Sequence, residues 1–202
     1  MCGFIGSMSA GSLNQSEKAD IRKMEQYVIN RGPDQRGEFE TESIFFIHRR
    51  LSVLGDSVEA QQPMLSSCKN WVLIFNGEIY NFASLAREYN IKSMGSDTRV
   101  FVELISRYGI EKTISILNGM YAFVAINLKE KYCHFSTDYF GQKPLYFALE
   151  GSRITFSSDL SAFNVQTRKI NRVAEDYFLR AGFIPKALSF FNGVHKVQPS
   201  VF

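Results

Sequence analysis

The second residue of the chain, Cys2, carries two groups that could take part in a reaction once Met1 is removed. Its thiol is a nucleophile, and its freed α-amine has a pKa of about 8, well below that of lysine. That amine can act as a general base at neutral pH, so one residue supplies both nucleophile and base. Gly3 follows and adds no side chain that would crowd a substrate. The alternative interpretation is a cysteine near the start of the chain with no role.

A second candidate pair, Asn76 and Gly77, follows an apolar run at residues 71–76. Glycine lets the backbone approach a ligand closely and point its N–H inward. The side-chain amide of Asn76 can donate beside it, and two converging neutral donors would form an oxyanion hole. The alternative is an ordinary Asn-Gly turn at the end of a strand.

Two charged residues could hold the two ends of an amino acid. Arg50 ends the apolar stretch 43–50, where a guanidinium can bind a carboxylate through two parallel hydrogen bonds. Asp97 could accept hydrogen bonds from a substrate ammonium. The alternatives are a surface arginine beside Arg49 and a simple helix cap at Asp97.

The elements that must position these residues can be predicted from apolar spacing. Strands are expected at residues 2–8, 43–50, 71–76, 119–128, 131–137, 144–149 and 153–156. Helices are expected at 15–29, 82–89 and 98–108, with Asp97 as the cap of the last one. The strands outnumber the helices, and the helices are clustered instead of alternating with strands. This arrangement favours an α+β layered sandwich over a doubly wound parallel fold.

Composition excludes several classes of protein. The chain has 202 residues, 45% of them hydrophobic, and a net charge of +3. The hydrophobic content is ordinary for a globular domain, and the charge is too small to indicate nucleic acid or an acidic membrane as a partner. No apolar run reaches the ~18 residues that a membrane span requires. The three widely spaced cysteines favour a reducing, cytoplasmic setting over a disulfide framework.

Two other enzyme classes lack their motifs. The three histidines, His48, His134 and His195, have no metal-ligand spacing, and neither HExxH nor CxxC occurs, so a metallohydrolase is disfavoured. Neither GxxxxGK[ST] nor GxGxxG occurs, so ATP is not expected to bind to this chain.

Seven short motifs occur together in one order along the chain. They are residues 1–6 (MCGFIG), 31–34 (RGPD), 48–53 (HRRLSV), 62–64 (QPM), 76–81 (NGEIYN), 96–97 (SD) and 138–146 (DYFGQKPLY). Together they resemble the class II glutamine amidotransferase domain of the asparagine synthetase family. The resemblance implies a four-layer αββα sandwich, the N-terminal-nucleophile hydrolase fold. It also implies that glutamine is hydrolysed to glutamate and ammonia through a thioester.

The resemblance implies a role for individual residues as well. Cys2 would be the nucleophile, and Asn76 and Gly77 would form the oxyanion hole. Residues that would bind the glutamine backbone groups are Arg50 for the α-carboxylate, Asp97 and Glu78 for the α-ammonium, and the main chain of Val53 as part of the pocket wall. Some positions depart from the family pattern, among them Thr137 and Asn30, which leaves the ammonia acceptor open between aspartate and another carboxylate such as a sugar acid.

The resemblance also implies a domain organisation. Residues 2–182 would form the amidotransferase domain, and residues 183–202 would begin the connection to a C-terminal synthetase domain of a longer chain. ATP and Mg would belong to that domain, and no cofactor is expected in this one. L-glutamine and the synthetase domain are therefore the expected partners, with the oligomeric state open and a homodimer included. The alternative function is a catalytically silent binding or docking module.

Overall fold

The computed structural model describes residues 2–52, 60–166, 168–185 and 188–199. Ten strands and five α-helices form among these residues. The strands are β1 Gly3–Ser9, β2 Gln35–Glu40, β3 Ile44–Arg50, β4 Met64–Leu65, β5 Trp71–Ile79, β6 Gly119–Asn127, β7 Tyr132–Thr137, β8 Tyr146–Glu150, β9 Arg153–Ser157 and β10 Val194–Lys196. The helices are α1 Gln15–Met24, α2 Phe82–Glu88, α3 Asp97–Tyr108, α4 Ile110–Ile116 and α5 Arg172–Ala181.

The strands form two antiparallel sheets. The larger has the order β10-β8-β9-β1-β3-β2, and the smaller has the order β4-β5-β6-β7. Strand β1 therefore lies inside the larger sheet, where Ile5 is opposite both Ile47 of β3 and Ser157 of β9. The chain begins in a central strand that is hydrogen-bonded on both sides.

The two sheets pack face to face over an apolar core. Phe4, Phe46 and Phe156 of the larger sheet meet Val72 and Val124 of the smaller one. The rings of Phe46 and Phe156 meet edge to face, with centroids 5.1 Å apart. This geometry is favourable for aromatic pairs beyond the area that they bury.

Helices cover the outer face of each sheet. Alternate residues of a strand point to opposite faces, so Phe45 and Ile47 of β3 pack beneath α1 while Phe46 lies between the sheets. On the other side, Phe101 of α3 is fully buried against Phe75 and Phe123 of the smaller sheet. The result is the four-layer αββα sandwich, which confirms the expected fold class.

The structure corrects several predicted boundaries. The helix expected at 15–29 ends at Met24 and continues as short 3-10 turns at Glu25–Tyr27 and Ile29–Arg31. Strand β5 runs through Ile79, three residues beyond its predicted end. Elements that the sequence pattern did not predict are β2, β4, β10, α4 and α5.

The segment 183–202, expected to be the start of a connection, contains β10. This short strand pairs with β8 at the edge of the larger sheet, so Val194 lies opposite Ala148. The domain boundary at residue 182 stays a prediction. Across the described ranges, no helix combines the length and the apolar character that crossing a membrane requires.

Truncation of Phe156 is expected to test the core between the sheets. Phe156 is fully buried and packs against Phe4, Phe46 and Phe135. Phe156→Ala should lower the free energy of unfolding by about 3–5 kcal/mol, because it removes a large ring and leaves a cavity. Urea unfolding followed by circular dichroism measures the change.

Phe140→Ala is the matched control for that experiment, because 77% of the Phe140 surface is exposed. Its effect should stay within about 0.5 kcal/mol. Equal losses of stability in the two variants would contradict the placement of Phe156 in the core.

Candidate active site

A cavity of about 150 Å³ opens where the ends of β1 and β3 meet β5 and the start of α3. It brings six of the seven predicted site residues together, and the seventh, Val53, lies outside the described residues. The side chains and backbone that line it belong to Cys2, Arg50, Leu51, Ala60, Gln62, Phe75, Asn76, Gly77, Glu78, Gly95, Ser96, Asp97, Thr98, Met120 and Lys143.

Cys2 directly precedes the central strand β1. Its Sγ lies 3.9 Å from the carbonyl oxygen of Leu51, and its own carbonyl oxygen accepts a hydrogen bond from Arg31 Nε at 3.3 Å. Burial raises the pKa of the Cys2 thiol, and the positive charge of Arg50 opposes this shift. The raised pKa favours the protonated thiol, and only the thiolate form of a cysteine is nucleophilic.

Packing requires a glycine at position 3. A Cβ added at this position would lie 2.8 Å from Cβ of Val28 and 2.9 Å from the Val28 carbonyl oxygen. Such contacts are closer than atoms can approach, so the first strand requires a glycine where it passes the helical layer.

Asn76 and Gly77 lie within β5, so the alternative of a strand-ending turn is wrong. A Cβ on Gly77 would lie 2.1 Å from the carbonyl oxygen of Met120, because β5 and β6 approach closely here. Asn76 is 1% exposed, and its Nδ2 donates no hydrogen bond within the described ranges. A buried amide donor without a partner is costly, and an acceptor in the cavity would relieve that cost.

Arg50 is buried, so it is not a surface arginine. It is the last residue of β3, and its guanidinium donates to Gln35 Oε1 at 2.9 Å. The neighbouring Arg49 points elsewhere and lies 3.6 Å from the carboxylate of Glu25. A buried cation at the rim of a cavity is well suited to bind an anionic group.

Asp97 is the first residue of α3 and does not cap it. Ser96 is the cap, since its Oγ accepts from the backbone N–H of Arg99 at 3.2 Å. The Asp97 carboxylate instead accepts from the N–H of Ile79 at 3.1 Å and from that of Thr98 at 2.6 Å. These bonds turn it toward β5 and the cavity.

Burial raises the pKa of Asp97, and the nearby charge of Glu78 raises it further. Among the described residues, neither carboxylate forms a salt bridge. Two neighbouring carboxylates without a cation would be stabilised by an ammonium group placed between them. The cavity lining thus combines the cations Arg50 and Lys143 with the carboxylates Asp97 and Glu78.

Gln62 and Lys143 are two of the cavity residues to which the sequence had assigned no role in the site. Both are buried, and both lie in motifs that had been noted without a role, QPM and DYFGQKPLY. Asp138 organises the second motif, because its carboxylate accepts from the backbone N–H groups of Phe140, Gln142 and Lys143. The motif DYFGQKPLY indicated that this turn matters, but only the folded structure shows that Lys143 is the member that lines the cavity.

His48 is buried beside the site and lies on β3. Its Nε2 is 3.1 Å from the carbonyl oxygen of Phe75, and burial lowers its pKa to about 4. A carbonyl only accepts hydrogen bonds, so Nε2 of this neutral ring must carry the hydrogen. In the part of the chain that the structure describes, no cluster of His, Cys, Asp and Glu side chains is arranged to hold a metal ion.

The family described as "glutamine amidotransferase domain" matches the chain over residues 1–202. The chain belongs to this family. Its membership confirms the resemblance that the seven motifs indicated.

Named relatives agree with this assignment of the amidotransferase domain. The chain is 32% identical to asparagine synthetase [glutamine-hydrolyzing] 1 of Bacillus subtilis, over 98% of this chain and 32% of that protein. It is 29% identical to putative asparagine synthetase [glutamine-hydrolyzing] 2 of Methanocaldococcus jannaschii, over 98% of this chain and 42% of that protein. This chain thus spans less than half the length of these relatives.

Solved structures support the fold. A glutamine phosphoribosylpyrophosphate amidotransferase from B. subtilis superimposes with a TM-score of 0.66 at 21% identity, over 84% of this chain and 45% of that one. A structure described as the allosteric regulatory enzyme of purine biosynthesis gives a TM-score of 0.64 at 22% identity, over 81% and 43%. At these identities the likeness is one of fold.

The two environments of Cys2 and Cys68 predict an order of alkylation. Burial raises the pKa of Cys2, whereas hydrogen bonds from Ser106 and Ser66 lower that of the exposed Cys68. Only the thiolate reacts, so iodoacetamide should modify Cys68 at lower pH than Cys2 in molecules that retain Met1. Peptide mass spectrometry over a pH series measures both sites and separates peptides with and without Met1.

Cys133 serves as an internal reference, because burial also raises its pKa. If the peptide with Met1 were modified at Cys2 before Cys68 as the pH rises, the burial argument for the Cys2 thiol would be wrong.

Proposed function

We propose that this chain is the glutaminase part of an asparagine synthetase-like amidotransferase, and that it hydrolyses the side-chain amide of L-glutamine to glutamate and ammonia. The observation that carries the proposal is that Cys2 shares one cavity with Asn76 Nδ2, which has no hydrogen-bond partner among the described residues. A nucleophile beside a preorganised neutral donor is what acyl transfer from an amide requires. The names of the relatives agree with this activity.

The proposed binding mode uses the charged residues that line the cavity. Arg50 would hold the α-carboxylate of glutamine, with Gln35 keeping the guanidinium in place. Asp97 and Glu78 would hold the α-ammonium, because the burial of Asp97 leaves its charge in need of a cation. The main chain at Val53 stays part of this proposal as a further section of the pocket wall.

The proposed reaction begins after Met1 is removed. The free α-amine of Cys2 takes the thiol proton, directly or through water, and the thiolate attacks the amide carbon of the substrate. The carbonyl π bond opens onto oxygen, and the resulting oxyanion is bound by Asn76 Nδ2 and the N–H of Gly77. The carbon–nitrogen bond then breaks, and the α-ammonium returns its proton to the departing ammonia.

A thioester on Cys2 remains after ammonia leaves. The α-amine next takes a proton from water, and the hydroxide formed adds to the thioester carbon. Collapse of this second tetrahedral intermediate breaks the carbon–sulfur bond, releases glutamate and restores the thiol. No step uses a metal or an organic cofactor.

We further propose that a C-terminal synthetase domain of the same chain consumes the ammonia, with ATP and Mg bound there. The greater length of the relatives supports this partner. Helix α5 supports it too, since Val173, Tyr177 and Leu179 expose apolar side chains that a neighbouring domain would cover. A reducing, cytoplasmic location is also proposed, because all three cysteines are free and Cys2 must stay a thiol.

A glutamine-mimicking electrophile, 6-diazo-5-oxo-L-norleucine, tests the nucleophile. Intact mass should show loss of Met1 and one covalent adduct, and Cys2→Ala should abolish the adduct. Cys68→Ala is the matched control, since Cys68 is more exposed than Cys2 and should not carry the adduct. Loss of Met1 without any adduct would favour the silent binding module over the glutaminase.

Removal of the Asn76 amide tests the oxyanion hole. Asn76→Ala should lower kcat for glutamine hydrolysis by about 100-fold or more, because one donor to the transition state is lost. KM should change little, since this contact strengthens only as charge develops. A coupled assay for glutamate measures both constants.

The matched control is Asn70→Ala, at an exposed position outside the cavity. It should keep the activity of the unaltered chain. A kcat for Asn76→Ala equal to that of Asn70→Ala would remove Asn76 from the mechanism.

A further inference from the structure

Phe75 lies on β5 directly before Asn76, and side chains form hydrogen bonds with its backbone N–H and carbonyl oxygen. Strand β4 pairs with β5 only through Met64 opposite Leu73 and Leu65 opposite Val72. Continuing that register would place Gln62 opposite Phe75. The chain ends its pairing before that point, and the backbone groups of Phe75 find other partners.

Gln62 supplies one of these partners. Its Oε1 accepts from the backbone N–H of Phe75 at 2.6 Å, so the side chain takes the hydrogen bond that a longer β4 would have made. His48 supplies the other, since its Nε2–H donates to the carbonyl oxygen of Phe75 at 3.1 Å. The backbone N–H and the carbonyl oxygen of Phe75 are therefore both hydrogen-bonded to side chains.

The amide nitrogen of the Gln62 side chain connects to Asp97 through Thr98. Its Nε2 donates to Thr98 Oγ1 at 3.4 Å, and that hydroxyl donates to Asp97 Oδ1 at 3.2 Å. Gln62 and Thr98 are 5% and 2% exposed, so water does not compete for these bonds. One side chain thus links the strand that carries Asn76 to the carboxylate of Asp97.

We infer that Gln62 is a positioning residue, which sets the distance between the oxyanion donors on β5 and the ammonium-binding carboxylate on α3. The inference rests on the proposed glutaminase function. Glutamine has a fixed length between its α-ammonium and its side-chain amide. A strand and a helix that shifted relative to each other would fit one end of the substrate and misplace the other.

The test compares Gln62→Met with Gln61→Met in the whole 202-residue chain. Methionine keeps the length of glutamine but neither accepts from Phe75 nor donates to Thr98 effectively. Gln61 is the adjacent, exposed residue of the same type, and its side chain donates to the carbonyl oxygen of Arg36. Glutamine kinetics and the rate of Cys2 alkylation by iodoacetamide are measured for both variants.

Gln62→Met should lower kcat by up to about 100-fold, the effect of misplacing a reacting group by roughly 1 Å. It should also raise KM about 3- to 10-fold, the equivalent of one neutral hydrogen bond. The alkylation rate of Cys2 should stay that of the unaltered chain, because this reaction needs neither the oxyanion hole nor the ammonium site. Gln61→Met should match the unaltered chain in all three.

A second pair of variants tests the hydrogen bonds that lead from Gln62 through Thr98 to Asp97. Thr98→Val removes the hydroxyl at nearly constant volume and should raise KM with a smaller effect on kcat. Thr98→Ser keeps the hydroxyl, so its KM should stay close to that of the unaltered chain. This pair decides the question if Gln62→Met does not fold. An unchanged KM in Thr98→Val would overturn the link to Asp97.

The possible failures are distinguishable. An unaltered chain, free of Met1, that does not hydrolyse glutamine overturns the proposed function and this inference with it. An active chain in which Gln62→Met has the kinetics of Gln61→Met overturns only the positioning role. Equal losses of hydrolysis and of Cys2 alkylation in Gln62→Met would assign the residue a general structural role instead.

Discussion

The hydrogen bonding of β1 on both sides is the constraint on which the site depends. Chain ends usually fray because few contacts hold them. Here the first strand pairs with β3 along one edge and with β9 along the other, and Phe4 is fully buried between the sheets. Cys2 is consequently held at a defined place, although it is the second residue of the chain.

Face-to-face packing of the sheets brings the other components to that place. Cys2 directly precedes β1 and Arg50 ends the neighbouring strand β3 of the larger sheet, whereas Asn76 and Gly77 come from the smaller one. Because the strands of each sheet are locked by their register, the separation of these groups is set by the apolar layer between the sheets. Stability of the core and geometry of the site are therefore two results of the same packing.

Much of the fold could be predicted from residues with strong periodicity. Apolar runs such as those in β3, β5 and β6 identify strands that are buried on both faces. Strand β2 escaped prediction because its sequence QRGEFE is polar, and it forms only because β3 offers an edge with which to pair. Helix α5 escaped for a related reason, since only Ala174 of its residues is buried and most of its apolar side chains face solvent.

The candidate site divides in the same way. Residue types and motif order alone pointed to the proposed nucleophile Cys2, the amide of Asn76 and the charged residues Arg50 and Asp97, because these side chains carry their chemistry wherever they lie. The tertiary structure decided what surrounds them: that Ser96 and not Asp97 caps α3, that Gly77 is required by β6, and that Gln62 joins β5 to Thr98. Contacts between residues distant in the chain depend on how the sheets and helices pack, and no local spacing encodes them.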